Sequence, residues 1–171
     1  PVGQMAIRWA KTEAVETIAV IDLSDTRLEH TKLGGANMLI QGDVADQLEE
    51  IRKIDSGNGP SVIVDTTGNP AVFKHALSAA PMFGKVILLG DTGYPSRQCL
   101  TSDVMSKGLS VQAVHDSHDH HGGTQRNIDE KFFASVADGR FDLTGLITHE
   151  FSPVDCETAY VLADKQREKV M

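Results

Sequence analysis

What this 171-residue sequence lacks first is a surplus of positive charge: Lys and Arg number 16 against 24 Asp and Glu, a formal net charge of −8. A nucleic-acid surface needs clustered cations to neutralise phosphates, and here the basic residues are scattered, so a small molecule or another subunit is the expected partner. Long apolar runs are missing too. No stretch approaches the ~20 residues that cross a bilayer, and the first residues do not follow the basic-then-apolar pattern of a secretory leader. Cysteine is scarce: Cys99 and Cys156 stand far apart and outside any C-x-x-C pair. Neither a disulfide framework nor a structural zinc site is therefore expected, and a reducing cytosol is the expected setting.

What is present is an ordinary globular mixture, 40% hydrophobic and 23% charged, of a length that suits one domain with a real core. Short apolar runs recur. ETIAVID (16–22), SVIVDTTG (61–68), KVILLGDTG (85–93), LSVQAVHD (109–116) and the weaker MLIQ (38–41) predict strands covered on both faces, as in a parallel sheet. Between them lie segments of helical period. VGQMAIRWAK gathers Met5, Ala6, Trp9 and Ala10 on one apolar face, and DVADQLEEIRKID (43–55) has Asp43 placed as a cap. NPAVFKHALSAA (69–80) opens on Asn69 as cap with Pro70 at the first helical position. A helix from near Thr26 should stop at Gly34 and Gly35, and Ser152 with Asp155 three residues on predicts a capping box before a final helix. Alternating strands and helices predict an α/β fold, a doubly wound parallel sheet of Rossmann type with ligands at the C-terminal strand ends.

A dinucleotide asks two things of such a sheet. The first is a glycine turn leading into a helix, whose free amides face the pyrophosphate. Val2 and Gly3 ahead of their helix fit the second half of that device, although Gly3 would equally serve close helix–sheet packing. The second is an acid at the end of the next strand, about 20 residues on, to accept hydrogen bonds from the ribose. Asp22 ends ETIAVID, 19 positions after Gly3. A carboxylate there would repel a 2′-phosphate and so favour NAD. It could instead cap the following turn, as could Ser24 or Asp25.

PVGQMAIRWAK, VIDLSDTRLEHTKLGGAN, VDTTGNPAVFKHAL, FGKVILLGD and LITHEF, in that order, resemble the cofactor-binding domain of zinc-type medium-chain dehydrogenases, near the polyol and threonine dehydrogenase branch. The resemblance runs over nearly the whole chain. It implies an NAD-dependent alcohol or polyol dehydrogenase, with Gly3 the third glycine of the turn, Asp22 on the ribose and Arg27 along the adenine. It further implies Thr66, Thr67 and Gly68 at the strand end bordering the cofactor, and Gly90 and Asp91 towards the nicotinamide. In that family a strand precedes the glycines and a GroES-like domain holds the zinc. Both would lie outside residues 1–171, leaving the sheet without its first central strand, and a further strand would follow Met171. Dimers of the family pair edge strands, which implies a homodimer through residues near 109–115.

Rival readings rest on other residues. Methyltransferases using S-adenosylmethionine also place an acid after their second strand, but they end in a reversed hairpin rather than a charged helix. HDSHDHH (115–121) carries His115, His118, His120 and His121, enough imidazoles for a metal-binding or oligomerising module, with no cysteine to reinforce them. His75 and His149 are isolated, the latter expected between strand residues. Neither they nor Cys99 and Cys156 offer a general base or an activated nucleophile.

Overall fold

The computed structural model describes residues 1–115, 124–166 and 170. The chain divides into two compact units, Pro1–Gln41 with Lys131–Met171, and Gly42–Glu130.

In the first unit, α1 (Val2–Thr12) is followed by β1 (Ala19–Asp22), α2 (Asp25–Gly34) and β2 (Met38–Gln41). The two strands pair in parallel from Ala19 opposite Met38 to Asp22 opposite Gln41. The strand expected from residue 16 starts only at 19. Ahead of it the Asn37 side chain replaces a neighbouring strand: Oδ1 accepts from Ile18 N–H at 2.9 Å and Nδ2 donates to the Glu16 carbonyl at 2.5 Å. Ser24 caps α2 with its hydroxyl, and Gly35 ends it in the left-handed region at φ 111°, a conformation that glycine adopts without strain. Ile7, Ile18 and Ala36 form the buried centre, with Ala10, Val20 and Leu39 against it.

The buried face of α1 differs from the predicted one. Gln4, Ile7 and Arg8 are inside, whereas Met5, Ala6, Trp9 and Ala10 are half-buried. Hydropathy alone would keep Arg8 out, but its guanidinium finds four acceptors: Gln4 Oε1 at 2.7 Å, the Gln4 carbonyl at 3.3 Å, and the carbonyls of Asp142 and Thr144 at 2.7 and 2.8 Å. A buried charge is tolerable only when so paired. Trp9 packs edge-on to Phe141, centroids 5.0 Å apart, and Phe132 joins them from α6 (Gln125–Ala137). Last comes α7 (Cys156–Lys165). The capping box expected there does not form, because the Asp155 N–H is taken by the Ser152 carbonyl at 2.9 Å in a short 3-10 turn.

The second unit contains α3 (Leu48–Arg52), β3 (Val62–Asp65), α4 (Pro70–Ala79), β4 (Lys85–Leu88), α5 (Asp103–Ser106) and β5 (Ser110–Ala113). Its parallel sheet runs β3-β4-β5, with Asp65 opposite Leu88 and Leu88 opposite Ala113. Among the described residues the five strands make two separate sheets, β1-β2 and β3-β4-β5, rather than one. β3, β4 and β5 are each shorter than their runs because the polar and glycine residues that close the runs turn away from the ladder. Phe73, Ala76, Leu77, Ala80 and Val86 are the buried centre, and Ile63, Leu88 and Val111 point at it from alternate positions of the strands. Val62 and Val64, on the other face, are exposed, so β3 is not covered on both sides as predicted. Asn69 and Pro70 start α4 as expected, the Asn69 side chain accepting from Ala71 N–H.

The helix predicted over 43–55 contracts to α3. Asp43 Oδ1 binds Ala45 N–H at 2.9 Å and forms a local turn instead of a helix cap. At the far end Asp55 and Ser56 adopt positive φ, which a continuing helix forbids. Ile51 and Ile54, three residues apart, are nonetheless both buried.

Candidate functional site

The first unit offers a helix end and a carboxylate. Pro1 occupies the N-cap of α1 without a side-chain bond, and the first backbone bond closes only at Met5 N–H on the Pro1 carbonyl. The preceding amides have no partner within the helix, and no acid sits in the first turn to satisfy its positive end. Val2 is about half exposed and Gly3 half-buried.

Asp22 is the last residue of β1. Its Oδ1 accepts from Ser24 N–H at 2.9 Å, so it caps the turn, which locks its rotamer. Its Oδ2 lies 3.9 Å from Arg27 Nη1, a long ion pair between partly exposed side chains worth at most ~1 kcal/mol. Arg27 thus pairs with Asp22, and Glu29 is held by Lys32. One carboxylate oxygen is committed to the backbone while the other keeps acceptor capacity at the strand end, as hydrogen bonding to a diol requires.

The second unit offers two turns at the ends of β3 and β4. Asp65, nearly fully buried, closes β3 and accepts at Oδ1 from both the Thr67 N–H (2.8 Å) and the Thr67 hydroxyl (2.7 Å). The Thr67 oxygen accepts in turn from Asn69 N–H at 3.1 Å. Thr66 and Thr67 thus lie in a turn beyond the strand. The Asp65 carbonyl accepts from Leu89 and Gly90 N–H, both at 2.9 Å, and so fixes the end of β4 as well.

Gly68 has φ 64°, and a side chain there would collide with the Asp91 carbonyl; a Cβ at Gly90 would stand 2.6 Å from Gly68 N and from the Thr66 carbonyl carbon. The two turns pass each other backbone against backbone, a cradle that any Cβ would fill. Gln98 Nε2 donates to the Gly68 carbonyl at 3.2 Å. Thr67 and Asp91 are exposed at this edge. Asp65 and Gln98 were not singled out from sequence. The Asp-x-Thr spacing of an Asx turn was the available signal for Asp65, while Gln98, 30 residues from Gly68, had none.

Other candidates gather no chemistry. His75 is half-buried on α4, and His149 lies in an irregular segment rather than between strand residues, stacked on Phe151 with Nδ1 3.0 Å from Thr148 Oγ1. Cys99 and Cys156 are exposed free thiols. His118, His120 and His121 lie outside the described residues. Among the described residues, no three His, Cys, Asp or Glu side chains are grouped to hold a metal, and no helix is long and apolar enough to cross a membrane.

Comparison with known proteins fits this geometry. L-threonine 3-dehydrogenase of Bacillus velezensis is 33% identical over 168 residues, covering 96% of this chain and 46% of that protein. Sorbitol dehydrogenase of Bacillus subtilis is 34% identical over 154 residues, 89% of this chain and 41% of that protein. This chain thus spans less than half the length of these relatives. In fold it is similar to an alcohol dehydrogenase of Escherichia coli crystallised with NADH, at a TM-score of 0.82 and 22% identity, over 99% of this chain and 48% of that one. Nothing in these likenesses supports the methyltransferase or the metal-module reading. The sequence pattern of the zinc-binding dehydrogenases matches residues 1–130, and the chain belongs to that family.

Proposed function

We propose that this chain is the dinucleotide-binding part of a longer NAD-dependent, zinc-type alcohol or polyol dehydrogenase. The observation that carries the proposal is Asp22: a carboxylate at the end of β1, in a chain of this family, with one oxygen anchoring a turn and the other still able to accept. The Val2 and Gly3 amides, without an intrahelical partner at the start of α1, would face the diphosphate, Asp22 would accept from the adenosine ribose hydroxyls, and Arg27 would lie along the adenine. The cradle of Thr66, Thr67, Gly68, Gly90 and Asp91, kept free of side chains by two glycines, would receive the nicotinamide end. Bound NAD would supply the acceptor for a hydride from the alcohol carbon. Zinc would be held by the remainder of the longer protein, since no described residues here form its ligand set.

A homodimer through Leu109–His115 is part of the proposal, because β5 is, among the described residues, an outer strand of its sheet, and an outer strand offers an edge to pair. A cytoplasmic setting is also proposed, where exposed thiols such as Cys99 and Cys156 persist reduced. The test is a titration with NADH and NADPH, followed by energy transfer from Trp9, the single tryptophan, to the reduced nicotinamide. Saturable binding of NADH, at least tenfold tighter than NADPH and weakened at least tenfold by Asp22→Ala, is the expected result. No binding of either nucleotide, or equal binding of both, would overturn it.

A further inference from the structure

Asp65 lies under both turns of the cradle at once. Its side chain shapes the first turn, with Oδ1 accepting from the Thr67 amide and hydroxyl at 2.8 and 2.7 Å. Its main chain shapes the second, with the carbonyl accepting from Leu89 and Gly90 N–H. Gly90 then runs against Gly68 and Thr66 so closely that no Cβ fits between them. A displacement of the first turn therefore has no slack to absorb it and must move Gly90 and Asp91. Backbone contacts of this kind transmit strain because packed interiors are close to incompressible.

The residue is an expensive one to keep. Asp65 is only 4% exposed, and its Oδ2 has no hydrogen-bond partner. A buried carboxylate oxygen without a donor costs stability, so scaffold strength alone does not account for an acid here. Across the same turn, Gln98 donates to the Gly68 carbonyl while its own buried Oε1 is unpartnered. Two side chains thus hold the Thr66–Gly68 turn from separate directions, each leaving a buried acceptor unsatisfied. Geometry of the turn, rather than stability of the fold, is what this arrangement secures.

We infer that Asp65 is a positioning residue for the nicotinamide end of the cofactor: through Thr67 it sets the Thr66–Gly68 turn, and through backbone packing it sets Gly90 and Asp91. The inference rests on the dinucleotide reading of the site. It predicts a selective defect. ADP-ribose carries the adenosine and the diphosphate but no nicotinamide, so its binding should not depend on Asp65, whereas NADH binding should.

The experiment measures both affinities by calorimetry for the wild type, Asp65→Ala, Asp65→Asn and Thr67→Val. Asp65→Ala should weaken NADH at least tenfold and leave ADP-ribose within twofold. Asp65→Asn keeps an oxygen for Thr67 and should hold NADH within threefold of wild type. Thr67→Val, which loses the hydroxyl's bond to Asp65 and its acceptance from Asn69 N–H but keeps the Thr67 amide bond, should weaken NADH severalfold and leave ADP-ribose within twofold, and it carries the test should Asp65→Ala fail to fold. Equal losses of both ligands would reduce Asp65 to a scaffold residue and overturn the inference. So would an Asp65→Asn protein as impaired as Asp65→Ala, or unchanged NADH binding in Asp65→Ala and Thr67→Val. A wild type that binds neither ligand would instead sink the dinucleotide reading, and this inference with it.

Discussion

Arg8 Nε donates to the backbone carbonyl of Asp142 at 2.7 Å, joining α1 to a loop 134 residues further along the chain. Burial pushes the Arg8 guanidinium down from its ordinary pKa, and the nearby Asp142 carboxylate pulls it back up; it stays charged at any working pH. Replacement by Met keeps much of the volume but strands the Asp142 and Thr144 carbonyls. Arg8→Met is expected to lose roughly 2–3 kcal/mol, the worth of charged hydrogen bonds in a buried place. Urea unfolding followed by Trp9 emission measures it, and a loss under 0.5 kcal/mol would show the clamp to be incidental.

Gly90→Ala tests the cradle. The new Cβ would stand 2.6 Å from two backbone atoms of the facing turn, and backbone has no rotamer to yield. The turns must part, with a destabilisation of about 1–3 kcal/mol, as for other overpacked sites. NADH affinity should fall by about tenfold or more, equivalent to ~1.4 kcal/mol. Thermal unfolding by circular dichroism and a nucleotide titration read the two effects separately.

Phe83 sits at φ 59° while 80% of it is exposed. A non-glycine residue in this region carries ~1–2 kcal/mol of strain, and so exposed a ring recovers little of it by burial. Phe83→Gly relieves the strain, at an unfolded-state entropy cost of about 0.5–1 kcal/mol. The N–H that donates to the Lys107 carbonyl at 2.7 Å is retained. A net gain of up to about 1 kcal/mol is expected. A lower melting temperature would mean that packing of the ring beside Gly108, where an added Cβ would stand 3.1 Å from Phe83 Cδ1, outweighs the strain.

Asp103 couples stability to pH. The Thr101 hydroxyl, donating at 2.8 Å, holds its carboxyl below the ordinary value, with Lys107 adding to the effect. A depressed folded pKa contributes stability that is present above the unfolded carboxylate pKa and is lost as pH falls through the folded one. Lys107 also donates to the carbonyls of Ser78 and Ala80 at the end of α4, so protonation of Asp103 removes its counter-charge there. Thr101→Val should raise the Asp103 pKa towards its ordinary value and start acid unfolding at a higher pH. Carboxyl carbon chemical shifts across an acid titration check the first; an unmoved pKa would refute the assignment to Thr101.

The parts of the fold legible in sequence are those whose causes lie within a few residues. Asn69 and Pro70 open α4, Gly35 closes α2, and the apolar runs locate all five strands, because caps, left-handed turns and alternation are local effects. Strand and helix ends depart from the apolar and helical patterns where a side chain competes with the backbone ladder. Asn37 does this ahead of β1, and Asp43 does it ahead of α3. Of the proposed cofactor residues, Asp22 was legible because a strand-ending acid after a glycine–helix unit has both a spacing and a chemical reason.

The sequence by itself determined the alternation of elements and the family, since periodicity and order along the chain encode them, and it supplied the strand-end residues proposed for a nucleotide. Only the tertiary structure decided that Arg8 lies inside, that Asp65 underpins both turns, and that Gly68 and Gly90 are fixed by each other's backbone. These facts arise between residues far apart in sequence, where hydrogen-bond acceptors and close contacts exist only once the chain has folded.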